Sequence, residues 1–117
     1  MRYEVLRAYS SIIFKVESSN YSSEEGVEKF KAKLILCDGS NLRISETWID
    51  KSLVAYSYYW LDEDYNQIIG WDNAPHHQEL DNYPHHKHIK IKKMVIPSYE
   101  VKLEDTLSFL KRYFEIV

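Results

Sequence analysis

A chain of 117 residues, 44% hydrophobic and 28% charged, with three Gly and three Pro, matches a single globular domain and leaves no room for a second core. Its 15 Lys and Arg against 18 Asp and Glu give a net charge of -3, which excludes a uniformly basic nucleic-acid coat but not a local basic site. The lone Cys37 excludes an internal disulfide framework, no apolar run approaches the roughly 20 residues needed to cross a bilayer, and Met1-Arg2-Tyr3-Glu4 carries an acid where a signal peptide keeps basic charge. A cytoplasmic protein with no membrane partner is expected.

Around Val5 and Leu6 a short segment reads as a helical turn or as the lead-in to a strand. From Ser11 to Ser18 the apolar residues Ile12, Phe14 and Val16 alternate, which predicts a strand. The polar stretch Ser18 to Gly26 has the composition of a surface loop. In Glu28 to Cys37, Phe30, Ala32, Leu34 and Leu36 share one face and Lys29, Lys31 and Lys33 the other, a half-buried antiparallel strand. Asp38-Gly39 then closes a tight hairpin.

The return strand, Asn41 to Ile49, sets Leu42, Ile44, Glu46 and Trp48 against Arg43, Ser45 and Thr47. A fourth strand, Leu53 to Leu61, is rich in Tyr56, Tyr58, Tyr59 and Trp60, and a polar turn at Asp62 to Asn66 leads into a fifth, Gln67 to Asp72. An irregular stretch follows from Asn73 through Pro84, and His85 to Val95 reads as one more strand. Leu103, Leu107, Leu110, Phe114 and Val117 form one stripe of an amphipathic helix, with Glu104 and Asp105 near its positive end. The predicted fold is α+β: an antiparallel sheet of about five or six strands in a meander, with a C-terminal amphipathic helix packed on one face. One domain spans residues 1–117.

All five His lie between His76 and His88, in the string WDNAPHHQELDNYPHHKHIK. Two chemistries need several imidazoles together: metal binding through neutral ring nitrogens, and acid-base catalysis in which one ring takes a proton while another gives one. On an extended strand His86 and His88 project from one face and Lys87 from the other, whereas adjacent pairs such as His76-His77 diverge. Lys87, Lys90, Lys92 and Lys93 make the region locally basic, and Tyr56, Tyr58, Trp60 and Trp71 offer ring faces to unpaired bases. Glu46 and Asp72 each either orient an imidazole or bond backbone at a strand end.

The strings LRISETWI at 42–49, YSYYW at 56–60, GWDNAPHH at 70–77 and YPHHKHI at 83–89 resemble the TumE-like family, small toxins of toxin-antitoxin systems. The resemblance implies a growth-inhibiting toxin that acts on RNA and is paired with a helix-turn-helix antitoxin protein. Its motif positions are Trp71, Asp72, Asn73, His76, His77, His85, His86 and His88. Tyr59 stands where relatives often carry His, which leaves its part in the site open.

The resulting expectation is a small ribonuclease using its His cluster for acid-base cleavage. Its catalytic candidates are Asp72, His76, His77, His85, His86 and His88, and its substrate-binding candidates are Tyr58, Trp60, Trp71, Asn73, Lys87 and Lys90. No cofactor and no metal are expected, and the sequence is compatible with a homodimer. The alternative is a non-catalytic binding module whose His-rich loop holds a metal ion or a partner protein. In either case the WDNAPHH loop and the PHHKH strand should fold against each other.

Overall fold

The computed structural model describes residues 2–116 and carries the alternating patterns into seven strands: β1 (Ile13–Glu24), β2 (Val27–Leu36), β3 (Asn41–Ile49), β4 (Ser52–Leu61), β5 (Gln67–Asp72), β6 (His86–Ile89) and β7 (Met94–Pro97). Each pairs antiparallel with its neighbour in sequence, so the sheet is an uninterrupted meander in the order β1 to β7. Two helices, α1 (Arg2–Ala8) and α2 (Leu103–Ile116), complete the α+β arrangement.

Both helices cover the same face. Leu103, Leu107 and Leu110 of α2 and Leu6 of α1 are buried against Phe30, Leu34 and Leu36 of β2, Leu42 and Ile44 of β3, Tyr56, Tyr58 and Trp60 of β4, and Ile69 and Trp71 of β5. The stripe read from the sequence is therefore the surface that α2 buries; Val117 lies outside the described residues. Glu46 shares this apolar face with its side chain fully buried, and its charge is answered there. Arg2 donates from Nε and Nη2 at 2.7 Å each, and the Tyr58 hydroxyl donates at 2.6 Å. Burial and the Glu46 charge together push the Tyr58 phenol far above its ordinary value, so it stays a donor.

One open local reading is decided and two are corrected. The short segment around Leu6 is helical. The polar stretch after Ser18 is not a loop: β1 runs on to Glu24, paired residue by residue with β2, and the chain turns only at Glu25-Gly26, both at positive φ. β1 is an edge strand exposed over most of its length, so its residues after Ser18 are mostly polar while β2 pairs one side of its backbone. The segment from His85 to Val95 is two strands, because the chain reverses at Lys90–Lys93, where the Lys93 amide donates to the Lys90 carbonyl and Lys93 takes φ 51°. This division raises the strand count to seven.

Candidate active site

With the apolar parity of each strand turned to the helices, the other parity forms an open face, and the pairing register decides which side chains meet there. Asp72 stands opposite His86, and Gly70 opposite His88, across the β5–β6 ladder. Directly opposed residues project to the same side, so Asp72, His86 and His88 emerge together. The irregular segment after β5 delivers a third ring. It is anchored at its start: the Asp72 carboxylate accepts from the Ala74 amide, and the Asn73 side chain accepts from Tyr56 N and donates to Val54 O. From there the loop folds back so that the His77 ring lies 4.9 Å from that of His86 and 5.9 Å from that of His88, centroid to centroid; the His86 and His88 rings are 5.0 Å apart.

The three imidazoles and Asp72 line a cavity of about 500 Å³, with His76, Asn73, Tyr56, Tyr59, Ser45 and Ser57 among its other walls. Asp72 is the only carboxylate on that wall among the described residues. Its Oδ1 lies 3.0 Å from Nε2 of His86, and its Oδ2 lies 3.6 Å from Nε2 of His88. The Pro84 carbonyl oxygen sits 2.9 Å from Nδ1 of His86. An acceptor thus faces each ring nitrogen of this buried His, and both contacts are hydrogen bonds at once only when the ring carries both protons. His88 is more open. Burial lowers its pKa below the ordinary imidazole value, Asp72 opposes this, and the charges of His86, Lys90 and His77 add to the lowering. His77 completes the set with Nδ1 3.5 Å from Glu79.

The described region 2–114, nearly the whole chain, matches the family model for toxin TumE. The chain belongs to the TumE toxin family. Neither the curated proteins nor the solved structures contain a significant match to it. Membership in the TumE family carries a toxin role and, with it, an antitoxin partner.

Of the residues that carried the TumE resemblance, Asp72, Asn73, His76, His77, His86 and His88 line the cavity. The remainder face elsewhere. His85 is bonded through Nδ1 to the Tyr56 hydroxyl at 2.9 Å with the two rings stacked, and it does not reach the other imidazoles, as expected for neighbours on an extended chain. Trp71, Tyr58 and Trp60 belong to the covered parity. They are 0%, 0% and 3% exposed, and Trp71 packs on Phe109 of α2, so no base can reach their faces. Lys87 is on that side too, its ammonium 2.7 Å from Glu100 and over the Phe109 ring. Lys90 lies in the β6–β7 turn, close enough to act electrostatically on His88.

Sequence reasoning passed over Ser57 and Ser45 and left Tyr59 open. The signal was present in the parity of β3, where Ser45 opposes Leu42 and Ile44, but β4 is aromatic on both parities and does not declare which of Tyr58 and Tyr59 faces out.

Proposed function

We propose that this toxin is a ribonuclease that cleaves by acid-base transfer to a neighbouring hydroxyl, with His88 as base and His77 as acid. The observation that carries the reading is the meeting of the His77, His86 and His88 rings in one polar cavity, where His86 and His88 share one buried carboxylate, Asp72. His88, lowered by burial and by the charges around it, is suited to accept the proton of a ribose 2′-hydroxyl. As that oxygen attacks phosphorus, the bond to the 5′-oxygen breaks, and His77 supplies the proton the leaving oxygen needs. The products are a 2′,3′-cyclic phosphate and a free 5′-hydroxyl. His86 has both nitrogens engaged and acts as a positioning residue that fixes Asp72. His76, exposed on the same rim, stands next to the acid.

A second reading is favoured by one distance. Ligand nitrogens of His77, His86 and His88 lie within 4.8 Å of one another, and a His whose Nδ1 bonds a backbone carbonyl, as His86 does, is pre-set to offer Nε2 to a metal. On this reading the three rings hold a divalent cation such as zinc. One assay separates the two. Untagged protein is dialysed against a chelator, its metal content is measured, and it is incubated with total RNA. Cleavage that persists, with cyclic-phosphate ends, supports the acid-base mechanism. Stoichiometric metal whose removal abolishes activity supports the cation.

A further inference from the structure

The pairing register links the His cavity to a second hollow on the same open face. Reading across the ladders, one row of directly opposed residues runs Asn20, Lys31, Ser45, Ser57, Asp72, His86 from β1 to β6. The adjacent row runs Ser18, Lys33, Arg43, Tyr59, Gly70, His88. Every member of a row projects to the same side, at the spacing of neighbouring strands, so Lys31 stands roughly 15 Å from Asp72 across three strand intervals.

The hollow at the far end has a volume of about 530 Å³ and is lined by Ser18, Asn20, Lys31, Lys33 and Arg43; it shares Ser45, Ser57 and Tyr59 with the His cavity. The two are therefore one furrow. No carboxylate lines its basic end among the described residues, and Asp72 is the only one at the other.

Tyr59 sits at the junction, and Gly70 explains how. A Cβ at position 70 would come within 2.9 Å of Cδ1 and 3.1 Å of Cε1 of Tyr59, so the ring leans across space that any other residue at 70 would fill. Half-buried and belonging to both hollows, it is the aromatic of this face that borders the cations and the imidazoles alike.

Resting on the ribonuclease reading, we propose that this furrow is the track for single-stranded RNA: Lys31, Lys33 and Arg43 hold successive phosphates, Tyr59 stacks on an unpaired base, and the strand is thereby led to His77 and His88. A row of cations that ends at a stacking ring meets the two recognition features of a single strand, and a paired base has no free face for Tyr59.

The test uses full-length His88→Ala protein, which keeps the RNA intact, and measures binding of fluorescein-labelled oligouridine by anisotropy over a range of salt. Neutralising the cations together (Lys31→Gln, Lys33→Gln, Arg43→Gln) is expected to lower the slope of log K against log salt by about 2, at roughly 0.7 per phosphate contact. Tyr59→Ala is expected to weaken binding about tenfold, and Tyr59→Phe to restore it. Changing Lys102 and Lys111, exposed on the helix side, should alter neither.

Duplex RNA and polyglutamate should compete poorly. Polyglutamate that competes as well as oligouridine, with Tyr59→Ala silent, overturns the track in favour of an acidic polypeptide as occupant. Absent binding, or binding indifferent to the three cations, also overturns it. Wild-type protein that binds through these residues but leaves RNA uncut keeps the track and defeats the catalytic reading. Cleavage with KM unchanged in the triple variant does the reverse.

Discussion

Single imidazoles in this cluster differ by what each ring nitrogen faces. His88 meets the cavity with a lowered affinity for protons, His86 is clamped between a carbonyl and a carboxylate, and His85, one residue away, is stacked on Tyr56 outside the cavity. His88→Ala should therefore reduce RNA cleavage by about 10²- to 10⁴-fold, the usual contribution of a positioned acid or base, while His85→Ala leaves the rate near wild type. The pH profile carries the same assignment. A base with a lowered pKa stays neutral to a lower pH than free imidazole, so the acid limb of activity should fall below about 6.5, as measured by initial rates across pH. A limb above that value would remove His88 as the base.

Among the elements, α1 and α2 are fastened to the sheet by different means. α2 contributes Leu103, Leu107 and Leu110, all fully buried, and Leu107→Ala should cost about 3 kcal/mol through lost burial and the cavity left behind. α1 is tied through charge. Arg2 donates to Glu46 from Nε and Nη2, lies over the Trp48 ring and approaches Glu104 at 3.4 Å, which joins α1, β3 and α2. Glu46→Ala should destabilise by about 3 kcal/mol in urea unfolding, because it leaves a half-buried Arg and a buried Tyr58 hydroxyl without their acceptor.

A third tie, on the segment entering α2, is pH-dependent. Burial of Glu100 works to raise its pKa, but hydrogen bonds from Lys87 at 2.7 Å and Trp71 at 3.0 Å, with the Lys87 charge, bring it below the ordinary value. A carboxyl that binds protons less readily when folded stabilises above the ordinary carboxylate range, near 4.5, and loses that contribution as pH falls through its folded value. Glu100→Gln should accordingly flatten the acid side of the stability curve, read as Tm between pH 7 and pH 3.

At the scale of the molecule, one sheet divides the work between its faces. The helix-covered face holds the large aromatics and the ion pairs that fix the fold, while the open face holds the imidazoles of His77, His86 and His88, Asp72, Tyr59 and the Lys and Arg row. Substitutions on the open face should then alter toxicity without altering stability. Expression of the wild-type chain should arrest growth, soluble His88→Ala at equal abundance should not, and the two should unfold at the same denaturant midpoint. Growth unaffected by soluble wild-type protein would count against the toxic activity residing in this face.

The alternations in β2 and β3, the Asp38-Gly39 turn, the amphipathic stripe of α2 and the clustering of five His are properties of local order, and the sequence by itself determined them: period two or period 3.6 is set by backbone geometry alone. The tertiary structure decided which parity of β4 and β5 the helices cover. Tyr58, Trp60 and Trp71 went inward with the apolar residues of β3, and Tyr59 and Asp72 outward with Ser45 and Arg43, because register carries the facing of one strand to the next.

Tertiary pairing also turned the polar residues after Ser18 into strand, since an edge strand needs a partner for its backbone and no apolar side chains for its exposed surface. The site followed from the same cause. A one-residue step separates His85 from His86, Tyr58 from Tyr59 and Lys87 from His88, and on a pleated sheet one residue is the difference between the core and the cavity.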